Sequence, residues 1–421
     1  LATLINKIKI FCPYANGSLN VKHEGSCVCY KGRSIIPIDN ANNIDEFINN
    51  DEMKKIRLSL SEGVWPKNCL PCKEVEDLNQ QSARNKVARS LKFKNKKWLI
   101  DNLNDDGSIN NLLYLELRFK NTCNLACRHC TPAYSTKWNK VVEQLREQNY
   151  YSKREYKESL SKKISVKDWV DFIKHQIDSD AFKKDPELLF YLELTGGEPF
   201  FQLEFYDFLE LLNELPEYKE RIQFCVTTNG IIADRFKKYD LKKLLSGFGL
   251  IWIKLSLDAS KEFYDYFRQG GTWKEASSGV DRILNNLIQT NKKKVSISVS
   301  PTVFQCLRFD DMYYDFKELF QNWKINNGKI SVSDIFEPTY LKINNIHPDL
   351  KKILIKQIEK SKIKINDPMF DNMVDLTLKQ LYQAGDIREW KNFCDMTQRL
   401  DKIHGKNVFD FFPELQEYWS K

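Results

Sequence analysis

The sequence predicts an α/β fold, a parallel sheet covered by helices, with a cysteine-rich segment before it and a helical segment after it. Three observations carry this. Six strand-like runs alternate with helical patterns between residues 111 and 365. Eight of the eleven cysteines fall in two groups, at 12–72 and 123–130. Residues 366–421 show helical patterns alone.

Four segments follow from this: a cysteine-rich 1–77, a linker of helix and loop over 78–110, the alternating 111–365, and the C-terminal helices of 366–421. In the first, short strand-like runs surround a helical stretch from Ile44 to Arg57. In the second, Asn79 to Lys92 reads as a helix and Asp105-Asp106-Gly107 as a loop end. In the third, the strands are expected at Leu112–Phe119, Leu188–Leu194, Ile222–Thr227, Leu250–Leu257, Val295–Val299 and Ile330–Ile335. Val280, Ile283, Leu284, Leu287 and Ile288 form one apolar helical face between two of them. Strands alternating with helices pair in parallel, and such sheets place their chemistry at the carboxyl ends of the strands.

Composition narrows the function classes. Apolar residues at 42% and aromatics at 13% describe an ordinary globular chain. The net charge of +8, from 65 basic and 57 acidic residues, is spread along the chain as a solvated basic surface. No basic motif interleaved with aromatics is present, so a nucleic-acid partner is not expected. No run of about 18 apolar residues is present, so neither is a membrane partner. The stretch Leu1 to Phe11 carries no small-residue cleavage site and is not read as a signal peptide. Eleven cysteines in such a chain point to metal chemistry in a reducing cytoplasm before disulfides. Cys225, Cys306 and Cys394 stand alone and read as buried apolar filling.

Just after the first strand the chain reads Asn121-Thr-Cys-Asn-Leu-Ala-Cys-Arg-His-Cys130. Three thiolates at these spacings converge on one metal cluster from a single loop and leave one iron open, where most clusters take four cysteines. Zinc on the three cysteines and His129 is the alternative, cramped because His129 adjoins Cys130. Further motifs sit at later strand ends: Thr195-Gly-Gly-Glu-Pro199, Thr227-Thr-Asn-Gly230, Ser256-Leu-Asp-Ala259 and Phe267-Arg-Gln-Gly-Gly-Thr-Trp273. Two adjacent glycines let a backbone approach a ligand where a Cβ would block it.

Cys123, Cys127 and Cys130, with these motifs in this order, resemble the radical S-adenosylmethionine (SAM) superfamily. The resemblance implies a partial (β/α)6 barrel and a [4Fe–4S] cluster on the three cysteines. Its open iron binds the amino and carboxylate groups of SAM. One-electron reduction then yields methionine and a 5′-deoxyadenosyl radical that takes hydrogen from a substrate. By the same resemblance Thr195, Gly196, Gly197 and Glu198 hold the SAM amino group. Thr228, Asn229, Ser256 and Asp258 contact ribose and methionine, and Arg268 pairs with the carboxylate. His129, where the family usually has an aromatic residue, packs on the adenine. The structural alternatives are a surface ion pair for Arg268 and helix caps for Ser256 and Asp258. Asp334 and Glu337, after the sixth strand, are candidates for a substrate-side base or for plain surface carboxylates.

The N-terminal cysteines read Cys12-Pro-Tyr-Ala, Gly25-Ser-Cys27-Val-Cys29 and Cys69-Leu-Pro-Cys72. Cys12 opens a strand-like stretch that turns near Gly25. Cys27 and Cys29 then lie two apart on the returning strand, and both are candidate ligands. This segment resembles the twitch/SPASM auxiliary domain of radical SAM enzymes, placed before the barrel. The resemblance implies a second, auxiliary [4Fe–4S] cluster on Cys12, Cys29, Cys69 and Cys72, favouring Cys29 over Cys27. Zinc on the same four cysteines is the alternative. The expected function is a radical SAM enzyme of oxidoreductase type acting on a peptide or protein side chain. Oxidation or rearrangement of a small molecule such as an amino sugar is the alternative. An electron donor such as flavodoxin or ferredoxin is the expected partner.

Overall fold

A computed structural model of the chain describes residues 8–22, 25–29, 43–77, 79, 81–90, 93–150, 164–287, 293–335 and 337–419. Leu1 to Lys7 and Ile288 lie outside these residues, as do parts of the linker around Asn79–Lys92.

One open sheet of eight strands organises the fold: β1 (Ser18–Lys22), β2 (Gly25–Cys27), β3 (Tyr114–Leu117), β4 (Phe190–Leu194), β5 (Ile222–Thr228), β6 (Leu250–Ser256), β7 (Lys293–Val299) and β8 (Lys329–Val332). Their order is β2-β1-β3-β4-β5-β6-β7-β8. The last six are parallel neighbours in chain order, each within a few residues of the expected run. β1 adds to β3 in parallel, with Asn20 opposite Glu116, and β2 closes an antiparallel hairpin on β1. The cysteine-rich segment therefore extends the same sheet.

A period of two divides that sheet into faces. Leu115, Leu192, Phe224, Ile251, Ile253, Leu255 and Ile297 point outward and are fully buried under helices. The helix Leu203–Asn213 packs there beside Val166–Ile177. On the inner face the same strands carry Tyr114, Glu116, Tyr191, Glu193, Trp252 and Lys254. β6 shows the division most plainly, every second residue being buried.

Four expectations before the first of the six parallel strands change. The stretch opened by Cys12 is extended only from Ser18, as β1, and turns into β2 at Gly25 as expected. Pro13 starts a helical turn, Pro13–Gly17, because its fixed φ suits a first helical position. The returning strand ends at Cys27, so Cys29 lies past it on a bend, and the two-residue alternation no longer relates the two thiols. The helical stretch expected from Ile44 is two helices, Ile44–Asn49 and Asp51–Ser61, and Asn50 caps the second. In the linker, Ala83–Ser90 is helical, and a second helix, Phe93–Asp101, lies in the expected loop. Leu99 of that helix is buried against Gly17, where a Cβ would come within 2.3 Å of its side chain.

The C-terminal segment is helical as expected. Pro368–Leu381 packs on β8, and Ile387–His404 packs on Lys137–Glu147, the helix that follows the three-cysteine loop. A small apolar cluster of Ala126, Trp138, Val141, Leu145, Met396 and Leu400 seals this contact. Among the described residues no helix is long and apolar enough to cross a membrane.

Candidate functional site

The three thiols of Cys123, Cys127 and Cys130 lie in the loop after β3, at the carboxyl edge of the sheet. The loop backbone is tied along its length. Ala126 N–H donates to the Gln269 carbonyl at 2.7 Å and Arg128 N–H to that of Phe267 at 3.0 Å. Cys130 N–H closes onto the Cys127 carbonyl at 2.9 Å, which also accepts from the Trp138 indole at 3.0 Å. Burial pushes the thiols up, Cys130 to about 12, and each lies close enough to a second cysteine or a carboxylate to be raised further. Arg268 opposes this at Cys127, its Nη1 lying 3.8 Å from Sγ. Thiols so disposed give up their protons to a metal far more readily than to water.

Around this loop the later motifs assemble. Gly196 and Gly197 both take positive φ, +83° and +57°. A Cβ on Gly197 would come within 2.2 Å of the Thr122 carbonyl, so the glycine pair lies directly on the cysteine loop. Glu198 is buried and joins two strand ends. Its carboxylate accepts from Asn229 N–H at 2.6 Å, Thr228 Oγ at 2.7 Å and Phe200 N–H at 3.0 Å. Burial raises its carboxyl to about 7 despite these donors. A carboxylate has about four acceptor sites, so one stays open to a ligand. Asn229 Nδ2 reaches Asn124 Oδ1 at 2.9 Å, and Thr195 Oγ1 donates to Glu116 at 3.2 Å.

Asp258 sits at φ +57° just past β6, accepts from Ser300 N–H at 2.7 Å and pairs with Arg268. Arg268 is buried, with its Nε on the Leu257 carbonyl at 3.0 Å, so it is no surface ion pair. Part of its guanidinium fork is thus held within the protein. Asp258 likewise is no helix cap: Ser260 precedes the next helix. Ser256 ends β6 on the inner face. His129 stacks on Phe267, with centroids 4.9 Å apart and planes 8° from parallel. Burial lowers it to about 4, so its ring is neutral near pH 7, and its buried Nδ1 meets no hydrogen-bond partner among the described residues. Asp334 and Glu337 are both exposed beyond β8.

A second recess lies under the N-terminal segment. Cys12, Cys29, Cys69 and Cys72 all line it, with Trp65 and Arg84. Cys27 is fully buried outside its lining and points its Sγ at the Cys29 carbonyl, 2.9 Å away. Burial pushes Cys12 up to about 11 and Cys69 to about 12. Arg84 is fixed by the Phe11 carbonyl at 2.8 Å and by Glu76, and partly offsets the thiolate charge. Among the described residues no three His, Cys, Asp or Glu side chains converge as ligands of one metal ion. A four-iron cluster takes each thiolate on a different iron, so it asks only that the thiols line a common space, as Cys12, Cys29, Cys69 and Cys72 do. Cys225, Cys306 and Cys394 are buried elsewhere.

Several residues escape a reading by motif. Arg128, between two of the cysteines, pairs with Asp401 of the C-terminal helix, lies 3.9 Å over the Tyr266 ring and donates to the Tyr266 carbonyl at 3.0 Å. Nothing local to either residue signals the pair. Glu116, Arg118, Glu193 and Lys254 form ion pairs on the inner face. For these a signal existed: the alternation of charged with aliphatic residues in Leu115-Glu-Leu-Arg118 and Ile253-Lys-Leu255.

Comparison with known proteins agrees with this geometry. Residues 117–303 match the model of the Radical SAM superfamily. GTP 3′,8-cyclase of Campylobacter lari is 28% identical over 173 residues, 41% of this chain and 43% of that protein. GTP 3′,8-cyclase of Alkaliphilus oremlandii is 22% identical over 172 residues, again 41% and 43%. The matches thus span less than half the length of these relatives. The crystal structure of Streptococcus suis SuiB bound to S-adenosylmethionine aligns with a TM-score of 0.38 at 16% identity, over 82% of this chain and 69% of that one.

Proposed function

We propose that this protein is a radical SAM enzyme that cleaves S-adenosylmethionine reductively and abstracts hydrogen from a substrate, in an oxidoreductase-type reaction on a peptide or protein side chain. The observation that carries it is three thiols held on one loop, a glycine pair pressed against that loop, and a buried carboxylate beside them with one acceptor site left by its three donors. Cys123, Cys127 and Cys130 hold the [4Fe–4S] cluster. A cluster on these thiols would supply the one-electron reduction by which SAM is cleaved and hydrogen is taken from the substrate.

The chain's own residues do the rest. Glu198 accepts from the SAM ammonium at its free site while Asn229 and Thr228 hold its other oxygen positions. Gly196 and Gly197 let the backbone meet the ligand. His129, neutral and stacked on Phe267, offers an apolar surface and an unpartnered Nδ1 to the adenine. Asp258 and Ser256 face the ribose, and Arg268 sets positive charge beside Cys127. Cys12, Cys29, Cys69 and Cys72 hold an auxiliary [4Fe–4S] cluster in a twitch-like N-terminal unit, fed by a donor such as flavodoxin or ferredoxin. Both thiol groups call for a reducing compartment, the cytoplasm. The test is anaerobic reconstitution with SAM and dithionite. Wild type is expected to release 5′-deoxyadenosine and Cys127→Ala to release none; full activity in that variant would overturn the assignment.

A further inference from the structure

We propose that Arg84 donates a hydrogen bond from its Nε to a sulfur of the auxiliary cluster and so raises the potential at which the recess takes up an electron. This rests on the auxiliary-cluster reading above and assigns that site a residue which no cysteine spacing marks.

Arg84 enters the recess from the helix Ala83–Ser90 and joins the segments that carry the thiols. Its Nη1 donates at 2.8 Å to the carbonyl of Phe11, the residue before Cys12. Its Nη2 donates to Glu76, which lies one turn after Cys72 on the helix Leu70–Asp77. Ser82 Oγ also donates to Glu76 and so fixes the far side of the pair. The guanidinium lies 5.1 Å from the centroid of the Trp65 ring, itself part of the lining. Both Nη atoms are thereby engaged, and the plane of the group is set.

The Nε is left over. It is buried and meets no acceptor among the described residues. A guanidinium keeps its protons at any ordinary pH, so Nε remains a donor. A buried donor without an acceptor costs free energy, because the bond lost to water is not replaced, and such donors are uncommon. An acceptor inside the recess accounts for it.

The lining says which acceptor. Arg84 is the one cation among the described lining residues, which otherwise comprise the four cysteines, Tyr14, Asn68 and apolar groups such as Leu60 and Pro71. Its charge acts on Cys12 and on Cys69. Four thiolates outweigh the positive charge of an iron core, and an added electron makes the group more negative still. Hydrogen bonds to the sulfurs and the net charge around them are what set the potential of such a site. A donor beside the sulfurs favours the reduced form over the oxidised one. Glu76 opposes the guanidinium charge at longer range, so the direct bond from Nε carries the larger share. The step is a one-electron reduction by the carrier proposed above, with no bond made or broken.

The test isolates the recess in the full-length chain. Cys123→Ala/Cys127→Ala/Cys130→Ala removes the other thiol group, and the reconstituted protein is titrated at poised potentials by electron paramagnetic resonance. In that background Arg84→Met is expected to lower the equilibrium constant for reduction at least tenfold, about 59 mV for one electron, with iron content unchanged. Glu76→Gln removes the opposing negative charge and keeps an acceptor for Arg84 and Ser82, so it should shift the potential upward. A pair that only braces the helices would move both variants in the same direction, so opposite signs identify the electrostatic role. If Arg84→Met does not retain its iron, the sign of the Glu76→Gln shift decides alone. A change below twofold in an iron-replete Arg84→Met, or no upward shift in Glu76→Gln, overturns the proposal. If the chain with Arg84 in place takes up zinc or no metal, the auxiliary-cluster reading beneath it fails instead.

Discussion

Replacing Asp401 by alanine should loosen the three-cysteine loop from 273 residues away along the chain. Asp401 is nearly buried and accepts from Arg128 Nη2, from Tyr266 Oη at 3.1 Å and from Val408 N–H. Arg128 is itself buried, and its Nη1 already lacks a hydrogen-bond partner among the described residues. Truncating Asp401 leaves that guanidinium without its counter-charge, which typically costs about 3–5 kcal/mol. The Tyr266 ring 3.9 Å below it offsets part of this, by about 1–2 kcal/mol. With an unfolding entropy near 2.1 cal/mol/K per residue over 421 residues, each kcal/mol moves the midpoint by about 1 °C. The expected drop is therefore about 1–4 °C in an anaerobic thermal scan, with a lower iron content at the loop, because Arg128 lies between Cys127 and Cys130. Arg128→Met/Asp401→Leu removes both charges and should recover most of the midpoint. A shift below about 1 °C with full iron in Asp401→Ala would refute the view that this pair braces the loop.

Gly197→Ala combines a positive φ with a Cβ 2.2 Å from the Thr122 carbonyl, so calorimetry should show at least tenfold weaker SAM binding; an unchanged Kd would remove Gly197 from the site. SAM affinity should rise with pH until Glu198, raised by burial to about 7, is ionised, and then level off. The linkage to stability has the opposite sign: the raised folded value favours the fold below about 4.5, an advantage lost as pH rises to about 7, and Glu198→Gln should flatten both dependences. A pH-independent Kd between 5.5 and 7.5 in wild type would count against a role for Glu198. Cys29→Ser should lose the auxiliary iron while Cys27→Ser keeps it, since only Cys29 lines the recess with Cys12, Cys69 and Cys72. Iron analysis with the reverse result exchanges the two residues, and stoichiometric zinc replaces the cluster reading.

Read as a string, the chain determined its parallel strands and the three-cysteine loop after the first of them. Both are local: alternation and helical period record which face a short element buries, and Cys123, Cys127 and Cys130 stay together because one loop carries them. The strand-end motifs were legible for the same reason, a glycine pair or a short polar run acting within its own loop. Tertiary structure decided the rest. It turned the stretch after Cys12 into a helical turn, because Pro13 and the close packing of Gly17 on Leu99 outweigh the strand pattern. Docking the β1–β2 hairpin on β3 made the cysteine-rich segment part of the sheet and set Asn20 against Glu116. It also engaged Arg268 with Asp258, Arg128 with Asp401 and Glu193 with Lys254. A charged side chain in a sequence carries no mark of its partner. Which opposite charge it meets depends on how distant elements pack, and only packing removes the water that would otherwise make the pairing count for little.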